Sequence, residues 1–175
     1  MDIDKYTNDT IYIFTDGNCK NNGKKGAKGG SGVYIPQLDI ERVNIIENPT
    51  NQRAELTAIK MSLEHILNNA SDFNKKNILI CTDSMYSINC LTNWYSNWEK
   101  NGYISSNKKP VKNKEIIKKI LRLKNECLDK IISMISFKHI KAHQREPENK
   151  YSKEYMFWKG NYIVDKIINE LLSFN

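Results

Sequence analysis

Three kinds of hydrophobic pattern alternate along the chain. Short continuous apolar runs occur at Thr10–Thr15 (TIYIFT), at Asn77–Thr82 (NILICT) and over Met134–Ile140, and they read as buried strands. Ser31–Pro36 and Leu38–Glu47 read as two further strands joined by a short turn. Spacings of three and four mark helices. In Thr50–Asn69, Leu56, Ile59, Leu63, Ile66 and Leu67 share one face. Ser84–Lys100 reads as one or two helices, Asn113–Lys130 as an amphipathic helix and Lys159–Phe174 as a closing one. Gly102–Asn113 is a loop in which Pro110 blocks helix. Residues 17–32, with six glycines, read as loop, and residues 141–158 as polar and irregular. The order β-β-β-α-β-α-α-β-α predicts an α/β fold in which helices pack on a five-stranded mixed sheet. It shows no repeat and no domain boundary, so residues 1–175 are expected to form a single domain.

Composition narrows the setting. No stretch approaches the roughly 20 apolar residues of a membrane span, and the start MDIDKYTNDT lacks the basic and apolar regions of a signal peptide. Cys19, Cys81, Cys90 and Cys127 form no CxxC pair, which fits a reducing, cytoplasmic compartment better than a zinc site or a disulfide scaffold. The net charge of +7 is concentrated: between residues 100 and 124 stand nine Lys and Arg against Glu115 alone, so the remaining residues sum to about −1. A basic patch beside a near-neutral body suggests a polyanionic partner, with a solvated helix face as the plainer reading.

Two apolar strands end alike, at Thr15-Asp16-Gly17 and Thr82-Asp83-Ser84. If these strands are parallel neighbours, their carboxylates lie about 5 Å apart at the carboxyl edge of the sheet, where α/β folds bind ligands. Two bare carboxylates that close demand a cation or a proton. With no Cys or His in ligand spacing, Mg²⁺ or Mn²⁺ suits them better than Zn²⁺. Glu55 and Asp165 each border the apolar face of a helix. His139 and His143 fall on a strand and beyond its end, too far apart to share a metal. His143 is then a lone imidazole.

These residues, taken in order, resemble the type 1 (cellular, bacterial-style) ribonuclease H enzymes from about Tyr12 to Leu172. Thr15-Asp16-Gly17-Asn18-Cys19 looks like that family's TDGS motif, Thr50-Asn51-Gln52-Arg53-Ala54-Glu55-Leu56 like its TNNRxEL helix start, and Thr82-Asp83-Ser84-Met85-Tyr86 like its TDSxY. Trp94 to Trp98 and Lys108 to Asn113 resemble the basic handle, Lys141-Ala142-His143 the VKGH segment, and Gly160-Asn161 with Asp165 the final GNxxAD.

The resemblance implies the ribonuclease H-like fold, with a three-strand antiparallel meander, parallel strands and helices on both faces. It implies a monomeric endonuclease that cuts the RNA strand of RNA–DNA hybrids with two Mg²⁺ ions, Mn²⁺ substituting, to leave 5′-phosphate and 3′-hydroxyl ends. Asp16, Glu55, Asp83 and Asp165 would hold metal and His143 would assist catalysis. Asn22, Asn51 and Gln52 would contact the minor groove and 2′-hydroxyls, and Thr50 and Asn97 a DNA phosphate. Trp94, Trp98, Lys108, Lys109 and Lys112 would hold the DNA strand, in a handle over about 94–113. A binding module without catalysis, or a DNA-cutting relative of the same fold, are the competing readings. Three departures stand out. Residues 144–158 look like an insertion that leaves Glu146, Glu148 and Glu154 as rivals to Asp165. Met85 stands where Gln is common. Fewer than a dozen residues precede the first strand, so no amino-terminal hybrid-binding domain is expected.

Overall fold

The computed structural model describes residues 9–131 and 133–174. The signal-peptide reading of the first residues falls largely outside them. Five strands, β1 (Thr10–Lys20), β2 (Lys28–Ile35), β3 (Ile40–Ile46), β4 (Asn77–Thr82) and β5 (Ile135–His139), form one sheet in the order β3-β2-β1-β4-β5. The first three make an antiparallel meander, and β1–β4 and β4–β5 pair in parallel.

Alternation of side chains along the two central strands supplies two cores. Ile11 and Ile13 of β1, with Ile78 and Ile80 of β4, face one side of the sheet. There they meet Leu56, Ile59, Leu63 and Ile66 of α1 (Asn51–Asn68) and Ile117 and Ile120 of α5 (Lys114–Lys130). Tyr12 and Phe14, with Leu79 and Cys81, face the other side and meet Val164, Ile168 and Leu172 of α6 (Lys153–Phe174). Helices therefore cover both faces, as the resemblance implies. The short α2 (Ala70–Phe73) follows α1 and buries Phe73. The predicted helix after β4 is α3 (Met85–Asn89), a π-helical turn (Cys90–Trp94) and α4 (Tyr95–Lys100).

Several boundaries differ from the sequence reading. β1 continues through Asp16 and Gly17 to Lys20, because β2 pairs with it as far as Lys20↔Lys28. The glycines of the expected loop thus lie largely in strands: Gly29, Gly30 and Gly32 belong to β2. Pro36–Leu38 forms a single 3₁₀ turn, so β3 starts at Ile40. Finally, α6 begins at Lys153, six residues early, so the end of the 144–158 stretch is helical.

Two glycines set how close the helices come. A Cβ at Gly160 would collide with the Phe14 ring, and one at Gly17 would collide with the backbone of Ala54 and Glu55. Backbone cannot rotate away as a side chain can, so Gly17→Ala must push α1 off β1. It is expected to destabilise the protein by about 1–3 kcal/mol, toward the upper end. Urea unfolding measures this, and a change within error of zero would mean that α1 has room to move.

Candidate active site

The parallel pairing of β1 with β4 ends at Phe14↔Cys81. Two residues further, Asp16 and Asp83 stand side by side, each in step with the strand positions that face α6. Asp16 is 7% exposed, and its Oδ1 accepts a hydrogen bond from the Gly17 N–H at 2.7 Å. The chain at Asp83 is fixed from three directions. Thr82 Oγ1 accepts from the Ser84 N–H at 3.1 Å, Ser84 Oγ caps α3 by accepting from the Ser87 N–H at 3.2 Å, and His139 Nε2 donates to the Asp83 carbonyl at 3.1 Å. That last bond requires the Nε2–H tautomer.

Glu55 arrives from the opposite layer. Thr50 caps α1 by accepting from the Arg53 N–H at 3.2 Å, and Ser31 Oγ donates to the Ala54 carbonyl at 2.7 Å, tying the first turn of α1 to the meander. The missing side chain of Gly17 admits that turn. The result is a triad in which one carboxylate oxygen each of Asp16, Glu55 and Asp83 lie within 4.8 Å of one another.

Asp165 borders the same cleft of about 270 Å³ from α6, as do Asn18, Asn51, Lys141, His143, Asn161, Trp158 and Tyr162. Its Oδ1 accepts from Asn169 Nδ2 at 2.9 Å, and Asn169 Oδ1 accepts from Asn18 Nδ2 at 3.0 Å, which links α6 back to β1 two residues after Asp16. Its rivals lie elsewhere. Glu146 pairs with Lys150 at 3.0 Å, and neither Glu148 nor Glu154 lines the cleft. Glu154 sits in the first turn of α6 instead of in an irregular loop.

His143 is exposed in a left-handed conformation (φ 51°) at the rim. Asn51 and Gln52 are exposed on the first turn of α1, and the Asn51 N–H donates to Asn22 Oδ1 at 3.3 Å. The basic handle lies apart from the cleft lining. Trp94 and Trp98 are one turn apart with ring centroids at 5.6 Å, and Trp98 leans on Tyr103 at 6.4 Å. Lys108, Lys109 and Lys112 are exposed on the following loop, which is pinned by a bridge between Ile104 and Pro110, and Asn97 is exposed on α4. Asn18, Trp158, Tyr162 and Asn169 are site residues that sequence reasoning does not single out. Trp158, Tyr162 and Asp165 do repeat at helical spacing, a signal that the polar character of 144–158 masks.

Burial governs the electrostatics, and crowding adds to it. Burial foremost, then the neighbouring charges of Asp83 and Asp165, push the Asp16 carboxyl up to about 6. Burial and then Asp16 and Asp83 hold Glu55 well above the carboxylate range. Burial also raises Asp83, against the charges of His143 and His139, which lower it. Glu55 Oε2 is buried without a hydrogen-bond partner. An orphaned carboxylate oxygen beside two further carboxylates, with no thiolate or imidazole among the three, is a donor set for a hard divalent cation.

Residues 8–168 match the RNase H family model, and the chain belongs to the RNase H family. It is 34% identical over 161 residues to the ribonuclease H of Schizosaccharomyces pombe, covering 85% of this chain and 56% of that protein. It is 34% identical over 146 residues to ribonuclease HI of Neisseria meningitidis serogroup B, covering 81% and 89%. The chain thus spans about half the length of the fission-yeast and human relatives, 56% and 47%, but most of the bacterial one. Among solved structures, the solution structure of the PFV RNase H domain superposes with a TM-score of 0.66 at 22% identity, covering 91% of this chain and 92% of that one, and shares its fold. The family is metal-dependent, and the Asp16–Glu55–Asp83 triad can hold a metal ion. No helix among the described residues is long and apolar enough to cross a membrane.

The raised Asp16 carboxyl makes a stability prediction. A carboxyl raised in the folded state stabilises the fold fully below its unfolded value of 3.8, and loses that contribution as pH rises through about 6. In EDTA, Asp16→Asn should therefore match the wild type near pH 4 and exceed it by about 2–3 kcal/mol at pH 7.5. Added Mg²⁺ should favour the wild type and narrow the gap. Urea unfolding at both pH values is the measurement, and a difference independent of pH would contradict the raised Asp16 carboxyl.

Proposed function

We propose that this chain is an endonuclease that hydrolyses the RNA strand of RNA–DNA hybrids, leaving 5′-phosphate and 3′-hydroxyl ends. One observation carries the reading: on an RNase H fold, three carboxylates from β1, α1 and the residue just after β4 converge within 4.8 Å, with a buried Glu55 oxygen left unsatisfied. Asp16, Glu55, Asp83 and Asp165 would hold Mg²⁺, two ions per site with Mn²⁺ as a substitute. When bound, such a pair supplies an activated water and neutralises charge at the leaving oxygen.

The chain's own groups do the rest. His143, exposed at the rim, would pass a proton between solvent and the departing product. Asn22, Asn51 and Gln52 present amides that both donate and accept, which a 2′-hydroxyl satisfies and a deoxyribose does not. The Thr50 hydroxyl accepts from Arg53 as the cap of α1, which leaves its own proton for a phosphate, and Asn97 contacts the same strand. Trp94 and Trp98 pack against the DNA strand while Lys108, Lys109 and Lys112 meet its phosphates. All of these groups lie within residues 16–165, so the site as proposed needs no second subunit. The four unpaired, buried cysteines suit a reducing compartment such as the cytoplasm.

The deciding experiment incubates labelled hybrid with and without Mg²⁺, beside duplex DNA. Cleavage of the RNA strand alone, and only with metal, is expected. Cutting of duplex DNA would favour the DNA-cutting relatives, and binding without cutting would leave a recognition module. Asp83→Asn should abolish cleavage and keep the fold. Asp165→Asn should cut kcat by at least tenfold, whereas Glu146→Gln, Glu148→Gln and Glu154→Gln should each stay within about threefold, because none of the three reaches the cleft.

The handle predicts a salt effect. Changing Lys108, Lys109 and Lys112 together to Ala should raise KM and flatten the dependence of log KM on log salt by up to about 0.9 for each phosphate that is no longer neutralised. An unchanged slope would show that these lysines are only solvated surface.

A further inference from the structure

Along α6, Tyr155, Trp158, Tyr162 and Asp165 recur at spacings of three and four and so form one stripe, beside the Val164–Ile168–Leu172 stripe that packs on the sheet. The three rings make a ladder. Tyr155 and Trp158 lie 5.6 Å apart, and Trp158 and Tyr162 are stacked at 5.3 Å with their planes 12° apart. The ladder is anchored at its middle, where Trp158 Nε1 donates to the Gln144 carbonyl at 3.0 Å. At one end, Lys159 and Lys150, the latter paired with Glu146, each lie 5.9 Å from the Tyr155 ring. At the other end Tyr162 is 53% exposed, with no ring stacked on its outer face among the described residues. Both Trp158 and Tyr162 line the acidic cleft.

A fixed aromatic stack ending in a bare ring is how proteins hold unpaired bases, since a base within a duplex has no free face to offer. Its placement sets the distance. At about 1.5 Å of helix per residue, Tyr162 and Trp158 lie some 5 and 10 Å along α6 from Asp165. At about 3.4 Å per nucleotide, that is one to three nucleotides from the acids. We propose that the Trp158–Tyr162 ladder is a stacking site for an unpaired RNA nucleotide one to three positions from the scissile phosphate. It would direct cleavage to junctions between hybrid duplex and single-stranded RNA. This deepens the ribonuclease H reading, on which it rests for the identity of the substrate.

The test measures Kd by fluorescence anisotropy in Mg²⁺, in an Asp16→Asn background of the full chain. Three hybrids are compared: blunt, with a 5′ RNA tail and with a 3′ RNA tail. One tail should tighten binding at least fivefold over the blunt hybrid. Trp158→Ala and Tyr162→Ala should each bring that ratio to about one. Tyr162 is surface-exposed, so its variant answers the question even if Trp158→Ala disturbs α6. With wild-type Asp16 restored, cuts on the tailed hybrid should map within three base pairs of the junction, and Tyr162→Ala should disperse them. A ratio near one for both tails, or a ratio unchanged in Tyr162→Ala, overturns the proposal. So does equal weakening of blunt and tailed binding, which would make the ladder a duplex-binding surface. If the wild type binds hybrids but cuts none, the proposed function fails while the tail ratio still decides the stacking site.

Discussion

Repulsion among carboxylates is the constraint around which the rest is arranged. Left to itself, a chain would keep Asp16, Glu55 and Asp83 apart, because burial penalises their charge, Asp83 raises the proton affinity of Asp16, and both aspartates raise that of Glu55. Their convergence is imposed by the cores on either side. β1 and β4 are buried on both faces, and their parallel register leaves the two aspartates as neighbours with no freedom to slide. α1 is pressed to β1 at Gly17 and locked by Ser31, which delivers Glu55. The scaffold thus holds a crowded, charged centre in place by burying apolar surface on both sides of it.

This division of labour explains what the sequence can and cannot disclose. Continuous apolar runs make β4 and the start of β1 legible, and helical periodicity does the same for α1 and α5. The aspartates at 16 and 83 stand out because each follows such a run. The onward course of β1 is hidden, because Gly17 to Lys20 are held by pairing with β2 across a turn and carry no apolar signature of their own. Tertiary pairing there overrides local composition. The start of α6 is hidden for a related reason. Residues 153–158 mix charge and aromatic side chains, and their periodicity emerges only with the cleft on one side and Phe14 and Tyr12 on the other.

The early start of α6 also dissolves a difficulty raised by the spacing between His143 and Asp165. Much of the extra length is absorbed as helix, so the connection from β5 to α6 is shorter than it reads and Asp165 keeps its place beside the acids. The Asn18–Asn169–Asp165 chain adds a polar tie between the two elements that meet there. The added helical turns bring an aromatic surface to the cleft without adding a long unstructured loop.

α6 both seals the second core and carries Asp165, which has a consequence during synthesis. Asp165 is made after Asp16, Glu55 and Asp83, and until its helix docks, Phe14, Leu79 and Cys81 lack Val164, Ile168 and Leu172 as cover. Completing the second core and bringing Asp165 to the cleft are one event. A nascent chain, surrounded by the RNA of the machinery that makes it, therefore has a cleft open on that side until α6 docks.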